Sequence, residues 1–253
     1  INGLIENFED YRGVFENAAA NGVGVPAASV QFRAPLPRPI NIDCMAVNYM
    51  ESGTKKEKSP INAFLKASNS VIGPNETMVC QDVPATIYEG EAELGLVMGK
   101  RAYQVSEDDA MDHVFGYVNF IDGSARGLPP AGNVFYQMKA RETFSPLGPY
   151  IVTKDEIDDP QNLDVKLWVN GVLKQDFNTD DMAHSIKTCI SWVSHVHTME
   201  PGDVLATGTN HRGLNPFHDG DIVELEIEGL GRLTINVQDE LKRTWERIVR
   251  SDR

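Results

Sequence analysis

The sequence predicts an α+β protein that is mostly β with few helices, and three observations carry that prediction. Short apolar runs bounded by turn formers outnumber stretches of helical spacing. The main body holds only one long helical pattern. Strand and helix do not alternate regularly, which argues against a doubly wound sheet or a TIM barrel. At 253 residues the chain can bury a substantial core in one domain, with or without a small appendage.

Leu4, Phe8, Tyr11 and Phe15 recur at helical spacing and the pattern stops near Asn21-Gly22, so residues 4–20 are expected to form an amphipathic helix with a glycine terminator. Pro26, Pro35, Pro37 and Pro39 then impose an extended connection, dividing a small helical and extended segment, 1–39, from a main body, 40–253. Strands are expected at 44–49 and 63–66, with a lysine-rich loop at 54–58 between them. The run from Ile87 to Met98 reads as a strand entering the core. Ser106-Glu107-Asp108-Asp109 has the form of a capping box and predicts a short helix reaching Val114, followed by a β-rich run that ends near Asp122. Val165, Leu167 and Val169 lead into Asn170-Gly171, a strong hairpin signal. Thr179-Asp180 is expected to open a helix through Ile186, Ile190, Val193 and Val196 that Pro201-Gly202 closes. Strands at 204–206, 222–227 and 233–237 and a closing helix at 239–249 complete the reading.

The net charge of −14 and a pI near 4.8, without clustered Lys or Arg, argue against a nucleic-acid partner. Cys44, Cys80 and Cys189 are few and far apart, with no zinc or redox spacing, which fits buried thiols in a reducing cytoplasm. No signal peptide or membrane-spanning run is seen, so no membrane partner is expected. The chain begins at Ile1, which predicts a missing short leading piece.

Chemistry concentrates first at Glu89, Glu91 and Glu93. Successive strand side chains point to opposite faces, so these three carboxylates aim the same way, about 7 Å apart at each step. The strand continues through Leu94, Leu96, Val97 and Met98, apolar on both faces, so the acids sit where charge is costly to desolvate. A hard divalent cation held by oxygens would resolve that cost. The chain carries its own control: Glu224, Glu226 and Glu228 also alternate, but against Val223, Leu225 and Ile227, the pattern of a strand with one wet face. Alternation alone therefore leaves a metal site and a plain acidic strand as equal readings. Asp122 in Asp122-Gly123 is either a further ligand at a strand end or a turn former. Lys139 lies among residues suited to burial, where it could hold an oxyanion, and Thr209 follows a strand in a Gly-flanked loop suited to a carboxylate.

Taken together, Glu91-Ala92-Glu93-Leu94, Val97-Met98-Gly99, Asp122-Gly123-Ser124-Ala125-Arg126, Lys139, Ser145-Pro146-Leu147-Gly148-Pro149, Asn170-Gly171 and Gly202-Asp203-Val204-Leu205-Ala206-Thr207-Gly208-Thr209 resemble the fumarylacetoacetate hydrolase family in order and spacing. The resemblance covers about residues 42–240 and includes Asn48-Tyr49, Phe64-Leu65-Lys66 and Ile72-Gly73-Pro74. It implies a mixed β-sandwich roll, usually a homodimer, acting on small 2-oxo acids of acylpyruvate or 2-hydroxydienoate type. The implied cofactor is magnesium, with manganese or calcium as alternatives. It assigns Glu91, Glu93 and Asp122 as metal ligands, leaves Glu89 as an extra acid, and matches Lys139 and Thr209 to substrate-binding groups; Tyr49, Arg141 and Arg212 join Thr209 as substrate-binding candidates. The implied chemistry is carbon–carbon cleavage through an enolate that the metal stabilises and Lys139 assists.

The chain departs from the family pattern at three places that matter. Hydrolytic members carry a His and a Glu on a lid after the Asn-Tyr pair, whereas here Met50-Glu51-Ser52-Gly53-Thr54 follows without His. Glu51 is then either the acid/base group, an added ligand or a solvated loop residue. Near the lysine, Arg141-Glu142 replaces the family's Phe-Asp, and Asn210-His211-Arg212 follows Thr209 where the family has Pro. His211 is thus a catalytic candidate with Glu51 and Lys139, while His218 is a weaker one. The missing lid His moves weight toward isomerisation or decarboxylation of a meta-cleavage intermediate of aromatic catabolism, or toward a non-catalytic descendant that binds metal and acid.

Overall fold

Two mixed sheets carry the chain in the computed structural model, which describes residues 1–130 and 135–248. The first sheet draws on β1 (Ile42–Met45), β2 (Ala63–Lys66), β3 (Val71–Ile72), β5 (Ile87–Met98), β6 (Val114–Arg126), β7 (Ser145–Thr153) and β10 (Val204–Ala206), in the order β2-β1-β10-β5-β6-β7-β3. The second contains β4 (Thr77–Cys80), β8 (Asp164–Val169), β9 (Val172–Asn178), β11 (Ile222–Ile227) and β12 (Arg232–Asp239), in the order β4-β12-β11-β8-β9. Parallel pairs β1/β10, β3/β7 and β4/β12 interrupt otherwise antiparallel ladders. The fold is therefore α+β and mostly β, as expected from the sequence.

Strands β5 and β6 form the long central hairpin-like pair, in register from Ile87 opposite Arg126 to a bulge at Val97/Met98. Residues of alternate parity separate cleanly. Ala92, Leu94, Leu96 and Met98 of β5 join Ile121, Leu167, Val223, Leu225, Leu233 and Ile235 in one apolar cluster shared by both sheets. Val97, Val118 and Phe120 face the other way, into a second cluster with Ile42, Leu147, Val204, Leu36 and Ile5. Burying each large aliphatic side chain is worth about 1.5–3 kcal/mol, so both faces of the central pair are held by apolar packing. Helix α4 (Ile186–Val196) adds Ile186, Ile190 and Val193 to the shared cluster.

Several local expectations are corrected. The N-terminal helix is split into α1 (Asn2–Glu6) and α2 (Phe8–Asn21) at Asn7, which leaves helical backbone angles with φ −113° and ψ 28° while both its backbone N–H and its side-chain amide donate to the Gly3 carbonyl. Gly22 ends α2 with extended backbone rather than a left-handed turn; a Cβ there would lie 2.3 Å from the Ala18 carbonyl oxygen. Strand β1 stops at Met45, because Val47 takes a positive φ of 56° and Tyr49 survives only as an isolated bridge to Met182. The capping-box segment yields a short 3₁₀ turn, Ala110–His113, rather than an α-helix. Thr179–Asp181 is likewise a 3₁₀ turn, and α4 starts later, capped by the Ser185 hydroxyl on the Thr188 N–H. The closing helix is not formed over residues 239–248; residue 249 lies outside the described residues. There Lys242 takes a positive φ, the backbone N–H groups of Leu241 and Arg243 donate to the Asp239 carboxylate and that of Trp245 to His218 Nε2 in place of helical carbonyls, and the Arg243 guanidinium binds Asp239 and the carbonyls of Gln81 and Val83.

Candidate active site

The face of β5 that carries Glu89, Glu91 and Glu93 continues the second apolar cluster, which is why these acids are buried rather than solvated. Their neighbours are small for a packing reason. A Cβ on Gly90 would stand 2.5 Å from the Phe217 ring on the opposite face. Strand register sets Glu91 directly opposite Asp122 of β6, and one oxygen each from Glu91, Glu93 and Asp122 lie within 4.8 Å of one another. Two separated strands thus deliver the three carboxylates that the sequence nominated to one point.

Cations gather around them. Helix α3 (Phe135–Lys139) buries Lys139, whose Nζ donates to Glu91 Oε2 at 2.9 Å and Asp122 Oδ2 at 2.5 Å. Lys66, at the end of β2, donates to Asp122 Oδ1 and to the Gly123 carbonyl. Arg126 donates to Glu89 at 3.0 Å and to Glu91 Oε1. Glu93 Oε2 accepts the Gly208 backbone N–H at 2.8 Å. Lys66 and Arg126 are the members that sequence reasoning left without a role, although a lysine closing the apolar pair Phe64-Leu65 was a legible signal.

Protonation follows this layout. Burial would raise the Glu91 carboxyl, but the charges of Lys139, Arg126 and His211 outweigh it and hold it far below the carboxylate range. Burial pushes Glu93 well above that range, and Asp122 and Glu91 add to the push. Burial works against Lys139, yet Asp122 and Glu91 keep its ammonium raised and protonated. Glu89, Glu91 and Asp122 meet the cations Lys66, Lys139 and Arg126, whereas Glu93 is met by a backbone N–H and has no cation partner among the described residues, so its ionised form is the one still to be offset. An all-oxygen donor set in which a bound cation would let Glu93 ionise fits a hard divalent ion of the magnesium or manganese kind. The engaged oxygens are no bar, since each carboxylate oxygen keeps a further acceptor direction.

The second assembly is a glutamate and a histidine. Glu51 sits in a tight turn at positive φ, 55°, and is buried. Its Oε2 accepts the His211 backbone N–H at 2.7 Å, and its Oε1 lies 2.6 Å from His211 Nδ1. Asp181 ties the two loops together, accepting from the Ser52 N–H and the Asn210 side chain, each at 2.9 Å. Burial opposes ionisation of Glu51, but the hydrogen bond and charge of His211 win and lower its pKa. His211 is near enough to the cluster for its charge to bear on Glu91.

The remaining nominated residues separate. Thr209 is buried at the end of the β10 loop. Arg212 is exposed and has no carboxylate partner among the described residues. Tyr49 is wholly buried, edge-on to Phe177, with a hydroxyl that meets no hydrogen-bond partner. Arg141 is spent on Gln81 Oε1 at 2.6 Å and the Gln137 carbonyl at 2.7 Å. His218 is drawn away from the site: its Nε2 accepts the Trp245 N–H at 3.0 Å.

A two-sheet α+β body with a buried, cation-braced carboxylate trio beside a Glu–His pair has the donor set that could hold a divalent ion. Residues 41–238 match the model of the fumarylacetoacetate (FAA) hydrolase C-terminal family, and the chain belongs to this family of enzymes. It is 37% identical over 220 residues to a mitochondrial oxaloacetate tautomerase of Xenopus laevis, covering 82% of this chain and 68% of that protein. A maleylpyruvate hydrolase from Sphingobium sp. SYK-6, solved in complex with manganese(II) and pyruvate, superposes with a TM-score of 0.83 at 36% identity, over 94% of this chain and 85% of that one. A 2-hydroxyhepta-2,4-diene-1,7-dioate isomerase from Mycobacterium marinum gives 0.77 at 34% identity, over 87% and 82%. Among the described residues no helix is long and apolar enough to cross a membrane.

Proposed function

We propose that the protein is a divalent-cation-dependent enzyme that hydrolyses a small acylpyruvate-type acid, breaking the carbon–carbon bond between the methylene next to the 2-oxo group and the distal acyl carbonyl, so that water's hydroxyl stays on the acyl fragment and pyruvate leaves as its enolate. The observation that carries this reading is the Glu51–His211 pair. Glu51 receives the backbone N–H of His211 and faces its Nδ1, an arrangement that fixes the ring and, in the neutral imidazole, selects the Nδ1–H tautomer whose Nε2 carries the lone pair a general base needs. This base comes from the loop after Thr209, so the absence of a histidine after Asn48-Tyr49 no longer argues against water activation.

Glu91, Glu93 and Asp122 would hold the metal, magnesium or the manganese seen with the Sphingobium relative, or calcium in their place. A bound ion supplies Lewis-acid polarisation of the 2-oxo carbonyl. Lys139 and Thr209 hold the substrate's anionic end, and the unpartnered guanidinium of Arg212 suits the distal carboxylate of a diacid. The catalytic body spans 40–253, and by family analogy it works as a cytoplasmic homodimer. A second reading, keto–enol isomerisation without water, uses the same pair to move one proton and is favoured by the tautomerase and isomerase relatives.

Turnover of acylpyruvates and of oxaloacetate, with magnesium or manganese and with a chelator, tests both readings. Metal-dependent release of pyruvate from an acylpyruvate is expected, and His211→Asn should lose about a hundredfold in kcat, the scale of general base catalysis, while still binding manganese. Loss of the oxaloacetate enol without any bond cleavage selects the second reading. Metal-independent turnover, or none across the panel, sinks both.

A further inference from the structure

One buried glutamine ties the carboxylate strand to the loop that carries Thr209. Gln175 belongs to β9 of the second sheet, is fully buried, and reaches across to the first sheet. Its Oε1 accepts the backbone N–H of Ala92, the residue between Glu91 and Glu93, at 3.0 Å. Its Nε2 donates to the Asn210 carbonyl at 2.7 Å and to Thr209 Oγ1 at 3.0 Å. The amide cannot be turned over, because a backbone N–H only donates and a carbonyl only accepts. Thr209 Oγ1 is therefore the acceptor in its bond with Gln175. Its own proton has only the Asn210 carbonyl to rest on, at a long 3.4 Å. A hydroxyl so arranged is ready to donate to an incoming anion.

The loop itself is pinned to the same strand. Gly213 has a φ of 91°, and a Cβ there would stand 1.8 Å from the Lys174 carbonyl oxygen, so the backbone after His211 lies directly on β9. No apolar residue could replace Gln175 without stranding the Ala92 N–H and the Asn210 carbonyl in the core.

We propose that Gln175 is a positioning residue that sets the Thr209 hydroxyl as a donor toward the substrate carboxylate and fixes its offset from Glu91 and Glu93. This rests on the reading above that a 2-oxo acid binds at this site. Among the described residues Gln175 makes no side-chain hydrogen bond to the metal-holding oxygens or to the Glu51–His211 side chains, so its effect belongs to anion binding and not to ion binding.

Calorimetric binding of oxalate to the manganese-loaded protein tests this in a double-mutant cycle. Gln175→Met and Thr209→Val should each weaken oxalate by about tenfold, the scale of one charge-assisted hydrogen bond. The double variant should be no weaker than the weaker single, because both changes remove one donor. Manganese binding measured alone should stay within about twofold throughout. Independent losses that multiply to about a hundredfold in the double variant would overturn the proposal, as would unchanged affinity in Gln175→Met. Gln175→Glu serves if the methionine variant does not fold, since it keeps the stem and the acceptor for Ala92. Its carboxylate can only accept from Thr209, turning the hydroxyl away, so oxalate should weaken at least as much as in Thr209→Val; wild-type affinity would refute the role. Failure of the wild type itself to bind oxalate would overturn the reading of the site and this inference with it. Tight wild-type binding that the Gln175 variants leave unchanged would overturn the inference alone.

Discussion

Two strands of this chain carry alternating glutamates, and what flanks them separates a chemical site from a wet surface. In the run 222–228, Val223, Leu225 and Ile227 are buried while Glu224 and Glu226 stay partly open and pair with Arg232, at 3.2 and 2.8 Å. On β5 the residues between the glutamates pack into the core and the glutamates are buried too, against a second apolar cluster. Charge on β11 is left to water and one exposed arginine. Charge on β5 must be met inside the protein, which is why Lys66, Lys139 and Arg126 converge there, with Glu93 left without a cation partner among the described residues. A strand period says which side chains share a face; only the other side of that face says whether they do chemistry.

The sharpest way to break this contrast is to neutralise one glutamate on each strand. Glu91→Gln should lower metal-dependent turnover by about a thousandfold, the scale of losing a group that holds the metal, while Glu226→Gln should leave it within about twofold. Equal effects from the two variants, measured by steady-state kinetics, would show that burial does not distinguish the strands. The reverse contrast lies on the other face of β11, where Leu225 is wholly buried in the shared cluster. Leu225→Ala should cost about 3 kcal/mol of unfolding free energy in a denaturant titration, as large core truncations do, against less than about 0.5 kcal/mol for Glu226→Gln.

How much of this was legible beforehand depends on sequence distance. The strand runs were readable because apolar periodicity is local, and so was the difference between Glu93-Leu94-Gly95-Leu96-Val97 and Val223-Glu224-Leu225-Glu226-Ile227. The closing helix failed because the Trp245 N–H is taken by His218 Nε2 and the Arg243 guanidinium docks on the carbonyls of Gln81 and Val83, partners that no window around 239–249 contains. The Glu51–His211 pair joins residues 160 positions apart, through two loops fastened by Asp181, so the sequence offered the two groups without their contact. Gln175 was hidden for a related reason: it looks like the polar residue of an ordinary strand until the partner element is placed over it.

Ion binding sharpens the comparison at a smaller scale. If the cost of ionising Glu93 on β5 is what a divalent cation relieves, manganese at about a hundred times its dissociation constant should stabilise the folded protein by about 2.7 kcal/mol. Glu93→Gln should abolish that gain and Glu226→Gln should keep it, read as the shift in unfolding free energy with added metal. Stabilisation that survives in Glu93→Gln would place the ion elsewhere.

Asp43 on β1 is the intermediate case, a buried carboxylate with a single, partly open partner. His197 Nε2 lies 2.9 Å from its Oδ1, while Oδ2 has no hydrogen-bond partner. Burial raises the Asp43 pKa, so its ionised form costs stability unless His197 carries a proton. Burial opposes charge on His197 too, but the hydrogen bond and charge of Asp43 prevail and raise its pKa above 6.5. A raised folded pKa means that the contribution is complete below the unfolded value and fades as pH rises through the folded one. The stability difference between wild type and His197→Gln should thus shrink on titration from about pH 5 to 8. Solvent screening of a half-open pair keeps it below about 1 kcal/mol at its largest. A difference that grows with pH would mean that Asp43 is held by something other than the imidazolium, and that a lone buried carboxylate in this sheet can be tolerated without the cations that β5 requires.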